Sequence, residues 1–211
     1  MRLIVKELPE FYDDIDKTLS EIKSLLSRGV NDRKSNFHYT TLCTVDNNSR
    51  PQARTVIFRN FNIEKFYLYI HSDLRSKKIN EIKNNSHVSL VFYDDKKKIQ
   101  LRIRGIAKIE PSKKDSWNKL SNWSRRCYLS EEPPGIDKQE PTSGFSQRYY
   151  FNAPSTEESE KGLQNFSVIE IIAEEIEWLF LASQGHRRIL FDIKRDLENI
   201  KIEGKWLIPE K

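Results

Sequence analysis

From residue 38 onward, the sequence is dominated by short segments in which apolar and polar residues alternate. The clearest case is IQLRIR at 99–104, where every second residue is aliphatic and the residues between are Gln or Arg. A period of two places one face of a β-strand in a core and the other in water. Comparable segments occupy 38–46, 53–60, 64–71, 87–94, 97–110, 166–173, 175–182, 187–193 and 204–209. So many short strands with few helices between them favour a closed or sandwiched antiparallel barrel over a parallel sheet.

Three helical patterns flank the strands. Residues 13–28 place aliphatic side chains at helical spacing, and Gly29 is predicted to stop this helix. Residues 76–85 give a short helical pattern, and residues 112–129 give another in which Trp117 is a candidate core residue. The fold class predicted from these patterns is mainly β with flanking helices.

The chain is expected to form a single domain over residues 1–211. Its hydrophobic fraction is 37% and its charged fraction 32%, but four Trp, eight Tyr and eleven Phe supply ample packing mass. A folded core under a very polar surface follows from this composition. Residues 136–165 are polar and lack a clear period, so we predict a long loop or arm there.

The charge composition indicates an anionic partner. The formal net charge is +5, from 36 basic and 31 acidic residues mixed along the chain. A dedicated nucleic-acid binder usually concentrates its positive charge more, so a small phosphorylated ligand fits at least as well.

Several classes of site and location are disfavoured by residue usage. Cys43 and Cys127 are far apart and no Cys-x-x-Cys pair occurs, so we expect neither a disulfide framework nor a metal cluster. The histidines lack metal-ligand spacing, and seven glycines leave no Gly-rich nucleotide loop. No apolar run is long enough for a signal peptide or a membrane span, which predicts a cytoplasmic protein without a membrane partner.

The segment SDLRSKK at residues 72–78 lies where a strand pattern ends and a helical pattern begins. A helix N-terminus presents unpaired N–H groups and the positive end of the helix dipole, so acidic residues are the stabilising choice there. Arg75, Lys77 and Lys78 bring positive charge instead. A bound phosphate monoester would reconcile these cations with the helix. The alternative is that they point into water, at a cost of a few tenths of a kcal/mol.

Two more basic segments are candidates for ligand binding. The strand from Arg54 to Arg59 has a cation at each end, and a flat ring could lie along its backbone. Simple alternation turns these arginines to opposite sides, so both reach one ligand only if the strand bulges or ends there. Near the C-terminus, His186, Arg187 and Arg188 would form either an anion clamp or a solvated turn.

Taken in order, these segments resemble the pyridoxamine 5′-phosphate oxidase family of FMN-binding split β-barrels. The matching elements are Arg54-Thr-Val-x-x-Arg59, Ser72-x-x-Arg75-Ser76-x-Lys78, Asn84-Asn85-x-x-Val88-Ser89-Leu90, Gln100-Leu-x-Ile-x-Gly105 and Ile176-Glu177…His186-Arg187…Trp206. The resemblance covers residues 38–110 well and 166–209 loosely, and the ordered set is more specific than any single member. The helix with Trp117, followed by Pro133-Pro134-Gly135, resembles an oxidase-related sub-branch rather than the biosynthetic enzyme itself.

The resemblance implies a homodimer that holds FMN in clefts at the subunit interface. The resemblance places the FMN phosphate near Arg54, Ser76, Lys77 and Lys78. The ring and ribityl chain would lie along the backbone of Val56–Arg59, with His71 and Ser72, and Gln100 would contact the ring. The cofactor-binding positions carried over from the family are Arg54, Thr55, Val56, Ile57, Phe58, Arg59, His71, Ser72, Arg75, Ser76, Lys77, Lys78 and Gln100.

The substrate half of the family pattern is kept less well. The family's flavin-contacting Trp falls here on Leu179, and its substrate-binding Arg-x-His falls on Arg187-Arg188-Ile189, which keeps an Arg but lacks the His. Residues 117–127 carry no equivalent of its Tyr-x-x-x-Arg-x-x-x-Ser pattern. Arg187 and Arg188 are therefore the candidate substrate residues, and no catalytic residue is assigned.

Three functions remain open from the sequence. The first is an FMN-dependent oxidoreductase that acts on an unidentified small molecule. The second is a binding module without turnover, such as an FMN carrier, a sensor, or a domain for another phosphorylated ligand or heme. The third is a nucleic-acid binder, which rests on the basic charge and on the run Lys96-Lys97-Lys98. A solvated turn explains that run better, so no nucleic-acid partner is expected.

Overall fold

The computed structural model describes residues 8–196 and 199–210 as one sheet with short helices around it. The strands are β1 Tyr39–Val45, β2 Pro51–Asn62, β3 Tyr67–Asp73, β4 His87–Asp94, β5 Ile99–Pro111, β6 Phe166–Phe180, β7 Arg187–Arg195 and β8 Ile200–Leu207. The α-helices are α1 Ile15–Asn31, α2 Lys77–Asn84, α3 Lys114–Asn118, α4 Asn122–Arg125 and α5 Thr156–Glu160. Short 3₁₀ turns lie at Asn36–His38, Arg126–Tyr128, Gln147–Tyr149 and Lys161–Asn165.

The strands form a closed antiparallel barrel with an extension. Their order is β3-β2-β1-β4-β5-β6-β7-β8, and a further antiparallel pairing of β3 with β6 closes the first six into a barrel. Strands β7 and β8 continue outward from β6. The barrel and its flanking helices confirm the predicted antiparallel split β-barrel.

The barrel is split between β2 and β3. Strand β3 pairs with β6 along its whole length, up to Asp73. Strand β2 pairs with β3 only from Phe58 onward, whereas its residues 51–57 pair with β1 on the other edge. Within the described ranges, residues 54–57 of β2 and 71–73 of β3 therefore have no ladder hydrogen bonds to each other. This open strand edge ends at the start of α2.

Strand β6 is continuous where the sequence predicts two strands, at 166–173 and 175–182. A register shift against β5 leaves Glu174 without a partner residue in the β5 ladder. Ala173 and Ile176 are both buried, so the inward-facing phase changes across the bulge. The break in alternation that suggested two strands is this bulge.

Gly29 does not stop the first helix. It lies inside α1, which continues to Asn31 and is capped at Asp32. A Cβ atom at position 29 would lie 2.5 Å from the carbonyl oxygen of Phe37. Glycine is required here for close packing of α1 on the following turn rather than for helix termination.

The segment 112–129 is broken into α3, α4 and a 3₁₀ turn rather than forming one helix. Ser121 starts α4 as its N-cap and accepts a hydrogen bond from the Ser124 N–H, which interrupts the helical path. The predicted core residue Trp117 is fully buried, and it packs with Phe166 and Val168 in a second apolar layer outside the barrel.

The predicted arm at 136–165 is mostly exposed up to residue 145 but contains local structure beyond it. Helix α5 begins with a capping box, in which Ser155 and Glu158 bond each other's backbone N–H groups. The Ser-x-x-Glu spacing was a readable helix-start signal in a segment interpreted as lacking structure.

Candidate functional site

Lys78 is the centre of the candidate site, at the open strand edge between β2 and β3. Its Nζ donates hydrogen bonds to Oγ of Ser72 at 3.3 Å and to Oγ of Ser76 at 3.2 Å. The two hydroxyls are buried and 2.9 Å apart. Burial, followed by the positive charge of Arg54, lowers the pKa of Lys78. Among the described residues, no carboxylate forms an ion pair with this ammonium group, which makes the position favourable for an anion.

The N-terminus of α2 supplies further hydrogen-bond donors. Ser76 is the N-cap residue, yet its side chain accepts no bond from the helix backbone. The backbone N–H groups of Lys77 and Lys78 have no acceptor within the described part of the chain. Free N–H groups at the positive end of a helix dipole are a common anion-binding arrangement.

Arg54 reaches the same place from β2 through a buried polar network. Its Nη2 lies 2.8 Å from Oε2 of Glu81, and its Nη1 lies 2.5 Å from Oγ1 of Thr44. Thr44 in turn donates to the same Glu81 oxygen at 2.5 Å. Side-chain exposure is only 24% for Arg54 and 11% for Glu81, so the pair is largely shielded from solvent.

The other two cations of the 72–78 segment are directed elsewhere. Arg75 binds both carboxylate oxygens of Asp73 and also donates to the carbonyl oxygens of Ser130 and Glu131. Its charge is thus balanced within the chain, and it ties the α2 region to the start of the long arm. Lys77 is exposed and extends toward Gly135. Of the three cations that motivated a phosphate site, only Lys78 turns onto the serine hydroxyls.

Strand β2 contains a bulge. A bulge or a strand end is required if side chains from both faces of this strand are to reach one ligand. The register against β3 shifts between Phe58 and Asn60, so Arg59 is the inserted residue. Phe58 is fully buried in the barrel core, which leaves only its backbone available to a ligand. Thr55 is exposed, and the side chains of Val56 and Ile57 are half-buried. Because this edge of β2 lacks a strand partner, a ligand lying along it could meet groups from both faces.

Three polar groups without partners converge beyond the β2 bulge. The rings of His71 and Tyr128 both pack edge-on against Phe166, at 4.9 Å and 5.1 Å between centroids. Nδ1 of His71 is buried without a hydrogen-bond partner, and burial followed by the charge of Arg59 lowers the His71 pKa to about 4. Burial raises the pKa of Tyr128. Within residues 8–196 and 199–210, neither the Tyr128 hydroxyl nor the Arg59 guanidinium has a hydrogen-bond or ion-pair partner.

Gln100 lies on a different part of the barrel from the Lys78 cluster. It is half-buried on β5, opposite Tyr93 of β4 and Leu179 of β6. Tyr93 is 45% exposed, so this outer surface carries uncovered aromatic area. One copy of the chain therefore does not bring Gln100 together with Arg54 and Lys78.

The candidate substrate residues Arg187 and Arg188 are both held in ion pairs. Arg187 binds Asp13 at 2.6 Å and lies over the ring of Tyr12. Arg188 binds Glu177 at 2.9 Å and Glu210 at 2.7 Å, and its side chain is only 12% exposed. In this structure they link the C-terminal strands to other parts of the chain.

Sequence reasoning missed four side chains that the structure adds to the site. Glu81 and Thr44 fix Arg54, Asp73 neutralises Arg75, and Tyr128 completes the group at the β2 bulge. Glu81 was detectable, because an acidic residue interrupts the inward-facing stripe of α2 between two buried isoleucines. Tyr128 gave no such signal, since aromatic residues near Trp117 suit a core equally well.

The described side chains and helices also bear on metal binding and membrane insertion. Within the described ranges, no three His, Cys, Asp or Glu side chains cluster in a way that could hold a metal ion. In the same part of the chain, every helix is too short or too polar to cross a lipid bilayer.

The barrel region resembles a known protein family. Residues 19–111, which include β1 to β5 and α2, match the family model described as pyridoxamine 5′-phosphate oxidase, FMN-binding domain. Over these residues the chain resembles the FMN-binding domain of pyridoxamine 5′-phosphate oxidase, and the match covers less than half of the chain.

Curated relatives and solved structures agree with this placement. Pyridoxine/pyridoxamine 5′-phosphate oxidase 2 of Arabidopsis thaliana is 33% identical over 114 residues, which are 49% of this chain and 58% of that protein. The Pelagibacter ubique pyridoxine/pyridoxamine 5′-phosphate oxidase is 27% identical over 173 residues, which are 79% of this chain and 77% of that protein. The match thus spans less than two thirds of the Arabidopsis relative.

Two crystal structures share the fold along nearly the whole chain. A pyridoxamine 5′-phosphate oxidase-related, FMN-binding protein from Nostoc punctiforme superimposes with a TM-score of 0.71 at 19% identity, covering 97% of this chain and 100% of that one. PhzG from Burkholderia lata, in complex with tetrahydrophenazine-1-carboxylic acid, gives a TM-score of 0.69 at 17% identity, covering 97% and 99%. At these identities the likeness concerns the fold alone.

Proposed function

We propose that this chain is an FMN-dependent oxidoreductase. The observation that carries the proposal is the half-buried ammonium of Lys78, whose partners among the described residues are two serine hydroxyls beside the open edge of β2. A phosphate monoester would supply the negative charge that this cluster lacks.

The chain's own residues fit FMN at both ends of this edge. Lys78, Ser72, Ser76 and Arg54 would hold the phosphate, together with the free N–H groups at the start of α2. The β2 backbone at residues 55–59 would lie along the ribityl chain and ring. The Nδ1 of His71 would meet a polar ring atom, which would satisfy a buried group that has no partner in the described part of the chain.

The residues around the ring position would orient a substrate and exclude water. When bound, FMN supplies hydride acceptance, which no amino-acid side chain can provide. Arg59 and Tyr128 offer a cation and a hydroxyl donor beside that position, both free of partners among the described residues. The substrate class is open, since pyridoxine and pyridoxamine phosphates are only the compounds named for the relatives.

The proposal includes a homodimer with the cofactor at the interface. Its support is the separation of Gln100 from the Lys78 cluster, together with the exposed Tyr93 beside Gln100 and the exposed Tyr39 on β1. If each FMN is held by both subunits, mixing a Lys78→Ala subunit with a Gln100→Ala subunit should restore one intact site per heterodimer. Binding of one FMN per purified heterodimer would support the arrangement. Mixtures no better than either variant alone would contradict it.

The direct test is titration of the purified protein with FMN, followed by a substrate panel. Quenching of flavin fluorescence at one FMN per chain, and anaerobic bleaching of the flavin absorbance by a pyridoxine phosphate, a nicotinamide cofactor or an amine, are the expected results. Absence of FMN binding would end the proposal.

A second candidate function is FMN binding without turnover. The observation in its favour is that Arg187 and Arg188 are engaged in ion pairs inside the chain. Protein that binds FMN but is reduced by none of the panel would favour this carrier or sensor function. Heme or another phosphorylated ligand would be tested as competitors of FMN in the same titration.

A further inference from the structure

Glu81 is a buried carboxylate bonded to a cation of the proposed phosphate site, and its position there is unexpected. It lies one turn after Lys78 on α2, with a side chain only 11% exposed. A negative charge so near a phosphate would weaken anion binding through Coulomb repulsion. A buried carboxylate is costly unless it is well bonded, and here Arg54 and Thr44 both bond to it.

The bonds to Arg54 engage one edge of its guanidinium. Glu81 accepts from Nη2, and Thr44 accepts from Nη1 while donating its own hydrogen to Glu81. The carbonyl oxygen of Leu42 is a further acceptor of Nη1 at 3.4 Å. Within the described ranges, Nε and the second Nη2 hydrogen have no acceptor. These two donors form the side edge of the guanidinium, which suits bidentate contact with a phosphate.

We propose that Glu81 and Thr44 are positioning residues that clamp Arg54 so that its free edge is presented to the anion. The inference rests on the proposed FMN function and adds to it the pair of residues that sets the strength of phosphate binding. The carboxylate acts through Arg54 and does not itself touch the phosphate. Without the clamp, Arg54 has several rotamers available and loses conformational freedom on binding.

The clamp predicts a specific pattern for two substitutions at position 81. Glu81→Ala removes the acceptor, so Arg54 is released and FMN affinity should fall by about tenfold. Glu81→Gln keeps an oxygen acceptor for Arg54 and removes the negative charge. Its FMN affinity should equal or exceed that of the wild type. If Glu81 acted only by repulsion, both variants would bind FMN more tightly.

The measurement is the FMN dissociation constant by fluorescence quenching, with circular dichroism to show that each variant is folded. Thr44→Val preserves side-chain shape and removes the hydroxyl, so it should weaken binding in the same direction even if Glu81→Ala does not fold. Asn80→Ala, on the exposed side of α2, is the matched control and should leave affinity unchanged.

A double substitution separates positioning from a structural effect. In an Arg54→Ala background, Glu81→Ala should cause no further loss of FMN affinity, because the group it positions is gone. An equal loss in both backgrounds would overturn the clamp, as would unchanged affinity in Glu81→Ala or tighter binding by both position-81 variants. Wild-type protein that fails to bind FMN would instead overturn the proposed function. If the wild type binds FMN, Arg54→Ala binds it more weakly and Glu81→Ala binds it as the wild type does, only the clamp is refuted.

Discussion

Ser76 stands at the N-cap of α2, yet its hydroxyl caps no backbone N–H and instead lies 3.2 Å from Nζ of Lys78. A serine at this position normally stabilises its helix by about 1 kcal/mol through a cap bond. Here the hydroxyl is turned toward a half-buried cation, and the helix N–H groups remain available. The helix therefore lacks the stabilisation of a side-chain cap. In return, the Lys78 ammonium and the N–H groups at the start of α2 are available as hydrogen-bond donors beside each other.

Removing either cation of this site should weaken FMN binding. Lys78→Ala and Arg54→Ala are each expected to raise the FMN dissociation constant by roughly ten- to a hundredfold, through loss of a charge-assisted hydrogen bond. Fluorescence titration measures the effect. Lys83→Ala is the matched control, because Lys83 lies on the exposed side of the same helix. If Lys78→Ala binds FMN as well as Lys83→Ala does, the phosphate lies elsewhere.

FMN affinity should depend on the protonation of Lys78. Burial and the nearby Arg54 lower its pKa from the usual 10.5, so the ammonium loses its proton at a lower pH than an exposed lysine would. Affinity is therefore expected to be full below that pKa and to fall as the pH rises through it. Titrations at increasing alkaline pH test this, and Lys78→Arg should shift the fall upward, since arginine stays protonated. An identical profile for both proteins would argue against Lys78.

Stability of the FMN-free protein should decline on mild acidification because of His71. Its pKa is lowered to about 4 in the folded chain, whereas it is near 6.5 when unfolded, so the unfolded state binds more protons between these values. The free energy of unfolding should thus fall as the pH drops from about 6.5 to about 4, by on the order of 2–3 kcal/mol. Urea unfolding of His71→Leu should show a shallower decline. The exposed His87→Leu variant should keep the wild-type slope.

The substitution Gly29→Ala shows whether close packing or helix propensity has the larger effect on stability at this position. Alanine favours a helix interior by about 1 kcal/mol over glycine, yet its Cβ would lie 2.5 Å from the Phe37 carbonyl oxygen. Overpacking of this kind costs about 1–3 kcal/mol, so Gly29→Ala should lower the melting temperature. Ser24→Ala, at an exposed position of α1, should not. A stabilised Gly29→Ala protein would show that the turn after α1 yields readily.

The sequence was sufficient to predict the barrel. Alternation and turn residues predicted the strands, with β6 divided into two, and the misfit of cations at a helix start pointed to residues 72–78 as a proposed phosphate site. The sequence could not show which of these cations face the proposed phosphate position. Arg75 is neutralised by Asp73, two residues earlier, while Lys78 faces buried serines, and these choices depend on tertiary packing. The role of Glu81 depends on β1 and β2 lying beside α2, a contact distant in sequence.

The open edge between β2 and β3 has a mechanical consequence. Strand β3 pairs with β6 up to Asp73, and the first half of β2 pairs with β1. Among the described residues, β2 and β3 can therefore move apart near α2 without loss of a hydrogen bond between them. A ligand that binds at this edge would not have to separate paired strands. The rest of the barrel would therefore keep its shape during binding and release.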